Sequence, residues 1–350
     1  MIEKITNRKN PWPSVPEDPQ GEMAYRIDGE LSPRVDPHET LVVSGFWRSG
    51  TTWLEEALRE ILQAKTLFEP CDPLTEEMQV IHAHDQVANK TFEFLRLYMP
   101  YCGAETLHGH PLHELFRRAL VAESRGSWIR RFRKGIDESR RTNVVVKFVR
   151  AQLCLRAAQN TFGMPALHVY RDPRAVIASV KKTRWHWLFD HLELRKQLLR
   201  RRDGRADFFG QWTEEILAYD RQDAVARLAA YWALTERFVQ HSYAGYPGRF
   251  ALISYERLAQ EREKVFAEIL QRLNLHPATE NFQVSRADSA TTSQLQRGAS
   301  VRERVAGWKK YLSAAEIAVI EKVVTRLGFA DRLMNGDAET STAPAREGIY

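Results

Sequence analysis

The chain has 350 residues, 43% of them hydrophobic, enough to bury a sizeable core in one large α/β domain or two small ones. Its 51 Lys and Arg against 45 Asp and Glu leave a net charge of +6, which points to an anionic ligand, nucleic acid or an acidic surface. No apolar run is long enough to span a bilayer, no apolar signal core opens the chain, and Cys71, Cys102 and Cys154 form no close pair, so a soluble cytoplasmic protein is expected.

Residues 1–38 are rich in Pro and charge and predict an irregular arm. "TLVVSGF" (Thr40–Phe46) is apolar and β-branched, so it predicts a buried strand. After the glycine loop, Trp53, Leu54, Ala57, Leu58, Ile61 and Leu62 recur at helical spacing. Residues 70–142 show short helical patterns and no clear strand. "NVVVKFV" (Asn143–Val149) and "ALHVY" (Ala166–Tyr170) predict two more strands. "RDPRAVIASV" follows the second, with Asp172 as N-cap and Pro173 in the first turn of a helix. A helix with Leu228, Tyr231, Trp232, Thr235, Phe238 and Val239 on one side precedes a fourth strand, "RFALISY" (Arg249–Tyr255), and a helix over 314–327 closes the fold. The polar tail 331–350 is expected to be disordered. Strands alternating with helices predict a single α/β domain over 39–330, with a P-loop-type central parallel sheet flanked by helices.

"GFWRSGTT" (Gly45–Thr52) nearly matches the nucleotide loop G-x-x-x-x-G-K-[ST], but Thr51 stands where the lysine belongs. A glycine turn between strand and helix aims backbone N–H groups and a helix N-terminus at one spot. Ser49, Thr51 and Thr52 add hydroxyls, and Arg48 adds a forked cation. Such a loop suits a terminal phosphate monoester better than a triphosphate with magnesium, although "SGTT" also reads as a capped helix start. In "YRDPRAVIASV", Arg171 ends a strand and Ser179 lies two helical turns on. Together they suit a second phosphate at a strand end; a surface Arg–Asp pair opening a helix is the alternative. Two anion sites call for one ligand with phosphates on opposite sides of a nucleoside.

At these residues the chain resembles the sulfotransferases that use 3′-phosphoadenosine-5′-phosphosulfate (PAPS). "GFWRSGTTWLEEAL" looks like their 5′-phosphosulfate loop and "YRDPRAVIASV" like their 3′-phosphate motif. "VVVKFVR", "LISYERL" and "SVRERVAGWKKYLS" occur in the family's order, and "LFEP" (Leu67–Pro70) leans toward the carbohydrate branch. The resemblance covers roughly residues 38–330. It implies a transferase with PAPS as co-substrate, no metal, and a sulfuryl group passed to a hydroxyl or amine of a glycan or small molecule. The donor has no γ-phosphate, which accounts for the absent lysine. Arg48, Ser49, Gly50, Thr51 and Thr52 match the 5′-phosphate binders, and Arg171 and Ser179 the 3′-phosphate ligands. Trp53 matches an adenine-packing aromatic, or is a core tryptophan. Near Trp308 the family's arginine and first glycine are replaced by Val301 and Glu303, so Arg302 or Arg304 is expected to supply the cation.

Removing a proton from the acceptor calls for a base near the sulfur. The cytosolic branch has a histidine two residues after the strand lysine, but Val149 stands there, two after Lys147. Glu69 falls where several carbohydrate-type enzymes place a glutamate and is the candidate base. His82 and His84 come next, then His110 and His113. The segment 181–212, with Trp185, Trp187, Trp212 and a basic run, is the expected acceptor lid, with Arg200–Arg202 read as a solvated basic face. A P-loop kinase or NTPase predicts the missing loop lysine, and a nucleic-acid binder predicts basic and aromatic residues on one exposed face rather than at strand ends.

Overall fold

Five short segments with buried side chains form the centre of the computed structural model, which describes residues 35–333 apart from 104–106, 127, 131–137, 139–140, 184, 280–281, 283 and 285–299. They are β1 (Leu41–Gly45), β2 (Lys65–Phe68), β3 (Val144–Phe148), β4 (Ala166–Tyr170) and β5 (Phe250–Ser254), in the order β2-β3-β1-β4-β5. Every neighbouring pair is parallel. The helices used below are α1 (Thr51–Leu62), α2 (Glu76–His84), α3 (Leu112–Leu120), α4 (Pro173–Lys182), α5 (Ala224–Tyr243), α6 (Tyr255–Gln260), α7 (Arg262–Leu273), α8 (Val301–Ala306) and α9 (Ala314–Arg326). Nearly all of the expected arm and tail lies outside the described residues. Among those described, no helix is long and apolar enough to cross a membrane.

Successive strand residues point to opposite faces, and both faces are covered, so the strands read as continuous apolar runs. Leu41, Val43, Val145, Leu167 and Ile253 pack against Leu54 and Leu58 of α1 and Phe266 of α7. Val42, Val146 and Phe148 pack against Leu115 and Phe116 of α3. Ser44 and His168 are among the polar residues that interrupt that second face. His168 lies 3.3 Å from Ser44 Oγ through Nδ1 and 3.1 Å from Glu236 of α5 through Nε2, so the buried group is satisfied.

β2 departs from expectation. Residues 65–68 read "KTLF", with two polar positions and only four residues, so no apolar run announces a strand. Thr66 nevertheless pairs with Val145 in register and its N–H donates to Glu138. With β2 in place, the chain leaves β1 toward β2 and β3 but leaves β4 toward β5. The loops after β1 and β4 therefore diverge, and a crevice opens between adjacent strand ends. Gly45 makes the close packing there possible: a side chain at that position would come within 2.5 Å of the Val169 carbonyl oxygen and 2.8 Å of Thr51.

Candidate active site

The loop after β1 is closed by Ser49 N–H donating to the Phe46 carbonyl at 3.1 Å. Arg48 (φ 67°) and Gly50 (φ 92°) both take the left-handed conformation. Gly50 is the N-cap of α1 and no side chain caps this helix, so its first-turn N–H groups face outward. A Cβ at position 50 would lie 2.4 Å from the Tyr255 ring, so only glycine fits. Ser49 is fully buried, yet among the described residues its Oγ has no hydrogen-bond partner. A buried hydroxyl left without a partner is costly unless a ligand completes it.

Arg171 leaves the end of β4 and crosses to this loop. It donates to the Arg48 carbonyl at 3.1 Å and to the Arg304 carbonyl at 2.9 Å, and its guanidinium lies 4.3 Å from the Tyr255 ring centre. Among the described residues Arg171 Nε has no acceptor. Arg48 Nε donates to Ser179 Oγ at 3.0 Å, and its guanidinium sits 5.5 Å from the Trp185 ring. Among the described residues neither guanidinium has a carboxylate at ion-pair distance. Burial, and then the charge of Arg171, push Arg48 down to about 10. Two cations thus converge without an ion-pair partner of their own, with Glu256 buried behind Arg171 and Glu303 on the cleft wall, an arrangement that suits an anion. An open cleft adjoins Arg171 and Ser179, lined also by Lys182, Glu303, Arg304, Trp308 and Lys310 among others.

The Arg–Asp pair that could have explained this motif exists, but it uses the other arginine. Asp172 caps α4 by accepting from Arg174 N–H at 2.8 Å and pairs with the Arg174 guanidinium at 2.7 Å. Arg174 also reaches Glu321 of α9 at 2.7 Å and lies 4.3 Å from the Trp308 ring. Arg171 is thereby left to the cleft. Glu256, fully buried, accepts from Asp172 N–H at 3.1 Å and ties β5 to the same strand end. Tyr255 and Glu256 build this site, and sequence reasoning had assigned them no part in it. The signal lay in "SYERL", a polar cluster closing an apolar strand.

Glu69 follows β2 directly. Its N–H continues the ladder to the Lys147 carbonyl at 2.9 Å, and its left-handed backbone (φ 53°) turns the side chain inward. Glu69 Oε1 lies 3.1 Å from Lys147 Nζ, and Oε2 accepts from Val149 N–H at 3.1 Å, with Arg150 3.7 Å away. Lys147 Nζ also donates to Thr52 Oγ1 at 3.1 Å and lies 3.5 Å from the Phe68 ring centre. A lysine therefore does reach the glycine loop's helix, arriving from β3. The lone charge inside "NVVVKFV" was the available signal.

The structure gathers Arg48, Ser49, Gly50, Arg171, Ser179 and Arg304 around one crevice, and links Glu69 to it through Lys147 and Thr52. Thr51 opens α1 and is buried. Trp53 packs edge-on to Tyr255 and Phe266 in the core between α1 and α7. The side chain of Arg302 lies outside the described residues. Glu303, where the family pattern has glycine, completes a capping box with Ser300 at the start of α8. His82 is buried, held down to about 4 by desolvation, with Nε2 lacking a partner. His84 and His110 flank Asp85, their ligand atoms within 4.8 Å of one another. His110 Nδ1 accepts from Leu112 N–H at 3.1 Å, which puts the neutral ring's proton on the Nε2 facing Asp85 rather than leaving a lone pair there. His113 packs at a tilt against the Phe162 ring. In the expected lid, Trp185 faces Arg48, and of the Arg200–Arg202 run Arg200 bonds to the Asp85 carbonyl while Arg201 and Arg202 are exposed.

A family model described as a sulfotransferase domain matches residues 38–334. No curated protein matches the chain. Similar solved structures include the sulfotransferase domain from the Curacin biosynthetic pathway, at 13% identity over 85% of this chain and 99% of that one, with a TM-score of 0.44. A sulfotransferase from Alicyclobacillus acidocaldarius gives 15% identity, 81% and 95% coverage and a TM-score of 0.34. A retinol dehydratase in complex with retinol and PAP gives 13%, 88% and 84%, and 0.31. These structural likenesses carry no argument of their own.

Proposed function

We propose, from the premise that this chain belongs to the sulfotransferase domain family, that it moves a sulfuryl group from PAPS to a hydroxyl or amine of a glycan or small-molecule acceptor. The observation that carries the donor assignment is the convergence of Arg48 and Arg171 at two adjacent strand ends with, among the described residues, no carboxylate at ion-pair distance from either. The buried, partnerless Ser49 hydroxyl and the uncapped N-terminus of α1 fit a 5′-phosphate; Arg171, Ser179 and the Arg304 segment fit a 3′-phosphate across the cleft.

Sulfuryl transfer by in-line displacement forms an S–O bond to a hydroxyl, or an S–N bond to an amine, as the S–O bond to the nucleotide breaks, so positioning and charge stabilisation dominate. The loop and α1 hold the 5′-phosphate. Arg48 meets the charge that builds on the bridging oxygen as the nucleotide leaves. Glu69 takes the acceptor proton, and Lys147 orients both Glu69 and Thr52. This reading calls for no metal, and a cytoplasmic setting belongs to it.

The test is calorimetric titration with 3′,5′-adenosine bisphosphate in the presence of a chelator. Binding is expected, with 5′-AMP at least tenfold weaker on the order of one lost charged contact. Equal affinity for 5′-AMP would remove the second anion site, and salt-sensitive displacement by duplex DNA would favour a nucleic-acid binder.

Arg171→Ala is expected to raise the donor KM roughly 10–100-fold with a smaller change in kcat, because a 3′-phosphate contact is present in ground and transition states alike. An unchanged donor KM in folded protein would overturn that role. Loss of the bonds to Arg48 and Arg304 adds a looser cleft, read as faster amide exchange around residues 300–308.

A further inference from the structure

The cleft is a groove between two walls. Ala178, Ser179 and Lys182 line it from α4, and Arg304, Gly307 and Tyr311 line it from α8 and the turn after it. Residues three apart share a helix face, so Lys182 stands next beyond Ser179, about 4.5 Å further along the helix axis. Arg171, which precedes α4, lines the inner end. A Cβ at Gly307 would meet no atom of the described residues within 4 Å, so the space between the walls is open. Three lysines stand at the outer end, and they differ. Lys181 pairs with Glu316 of α9, and Lys310 pairs with Glu303 of α8. Lys182 is half-buried and, among the described residues, has no carboxylate at ion-pair distance. Its ammonium donates to the Tyr311 hydroxyl at 2.8 Å and lies 4.3 Å from that ring's centre. Both partners are neutral, so the charge stays uncompensated toward the groove. The end of α4 favours a cation here, but it does not account for a cation turned across the groove onto a phenol.

We propose that Lys182 is a further donor-binding residue: its ammonium rests on Tyr311 in the empty protein and swings onto the phosphate monoester held at Arg171 and Ser179. The lysine stem is long enough to cover one helical turn, so the swing needs rotamer changes and no movement of α4. Lys182 then selects a nucleotide with a terminal phosphate at this end over one with a hydroxyl there. Tyr311 is the resting partner and touches no ligand. The inference rests on the reading of this cleft as the second anion site of the donor.

The test is calorimetric titration of wild type, Lys182→Met, Lys182→Arg and Tyr311→Phe with 3′,5′-adenosine bisphosphate and with 5′-AMP. Met keeps the length of the stem without its charge, and Arg keeps the charge. Lys182→Met is expected to weaken bisphosphate binding about tenfold, the low end for a charged contact because the ammonium is half exposed. Its affinity for 5′-AMP is expected to stay within about twofold of wild type, and Lys182→Arg to restore most of the bisphosphate loss. Tyr311→Phe is expected to bind the bisphosphate as well as wild type or better, since the ammonium then leaves no hydrogen bond behind. A structural latch between α4 and the opposite wall gives a different pattern: Lys182→Met and Tyr311→Phe then weaken the bisphosphate alike. That result overturns the inference, and so does undiminished bisphosphate affinity in Lys182→Met. In both cases the second anion site stands, carried by Arg171 and Ser179. Equal affinity of the wild type for bisphosphate and 5′-AMP removes that site itself, and the inference falls with it.

Discussion

Glu69→Gln is expected to lower kcat toward an alkyl or sugar hydroxyl by about 10²–10⁴ while bisphosphate binding survives. Gln can still accept from Val149 N–H but cannot take the acceptor's proton. The change also breaks a buried ion pair, and removing one partner of such a pair costs on the order of 3–5 kcal/mol when the other charge is stranded. Lys147 is not wholly stranded, since it keeps its bond to Thr52 Oγ1. The rate is therefore referred to the folded fraction, with melting temperature and bisphosphate affinity as controls. An acidic limb in the wild-type pH–rate profile should disappear in the variant. Wild-type kcat in Glu69→Gln would place the base elsewhere, with His82 first in line, because its buried ring is neutral at working pH and its Nε2 is uncommitted. An acceptor already ionised needs no base, so the assay requires an aliphatic hydroxyl.

Arg48→Ala is expected to lower kcat about 10²–10³-fold, the scale of losing one preorganised charge-stabilising donor, with a smaller rise in donor KM. The bridging oxygen gains charge only as its bond to sulfur breaks, so a contact to it strengthens in the transition state. Stability separates this from a structural role. Arg48 is held beside Arg171 with its own charge disfavoured, so removing it relieves a like-charge contact in the empty protein. The melting temperature should hold or rise. A fall in melting temperature with normal kcat in the folded fraction would mark Arg48 as scaffold, and a raised KM with unchanged kcat would mark it as a ground-state binder.

The strands legible in the sequence were those whose apolar residues run together with at most a single polar interruption, as His168 interrupts β4, because burial on both faces leaves that signature. β2 lacked it: Lys65 and Thr66 are covered by neighbours far along the chain, Glu138 among them, and nothing local announces this. The two anion loops were legible because their chemistry is written in adjacent residues. The support behind them was not. Lys147 reaches Thr52 across 95 positions and Glu256 reaches Asp172 across 84, and only strand order and register decide those meetings. Arg171 and Arg174 also look alike in sequence. Asp172 engages the one that can fold back on the first turn of α4, and the other is released toward the loop.

Arg171 meets positions 48 and 304, which lie 123 and 133 residues away in opposite directions along the chain. On the proposed reading, a nucleotide held there acts as a removable staple between remote parts of one polypeptide. A molecule that recognises only the assembled junction adds its binding free energy to the folded state and nothing to the unfolded one. A nascent chain that has reached β5 has every strand of the sheet but not the segment around residue 304 that walls the cleft. Donor capture therefore waits for the last eighth of the described chain, and a truncated product neither hoards the co-substrate nor gains its protection.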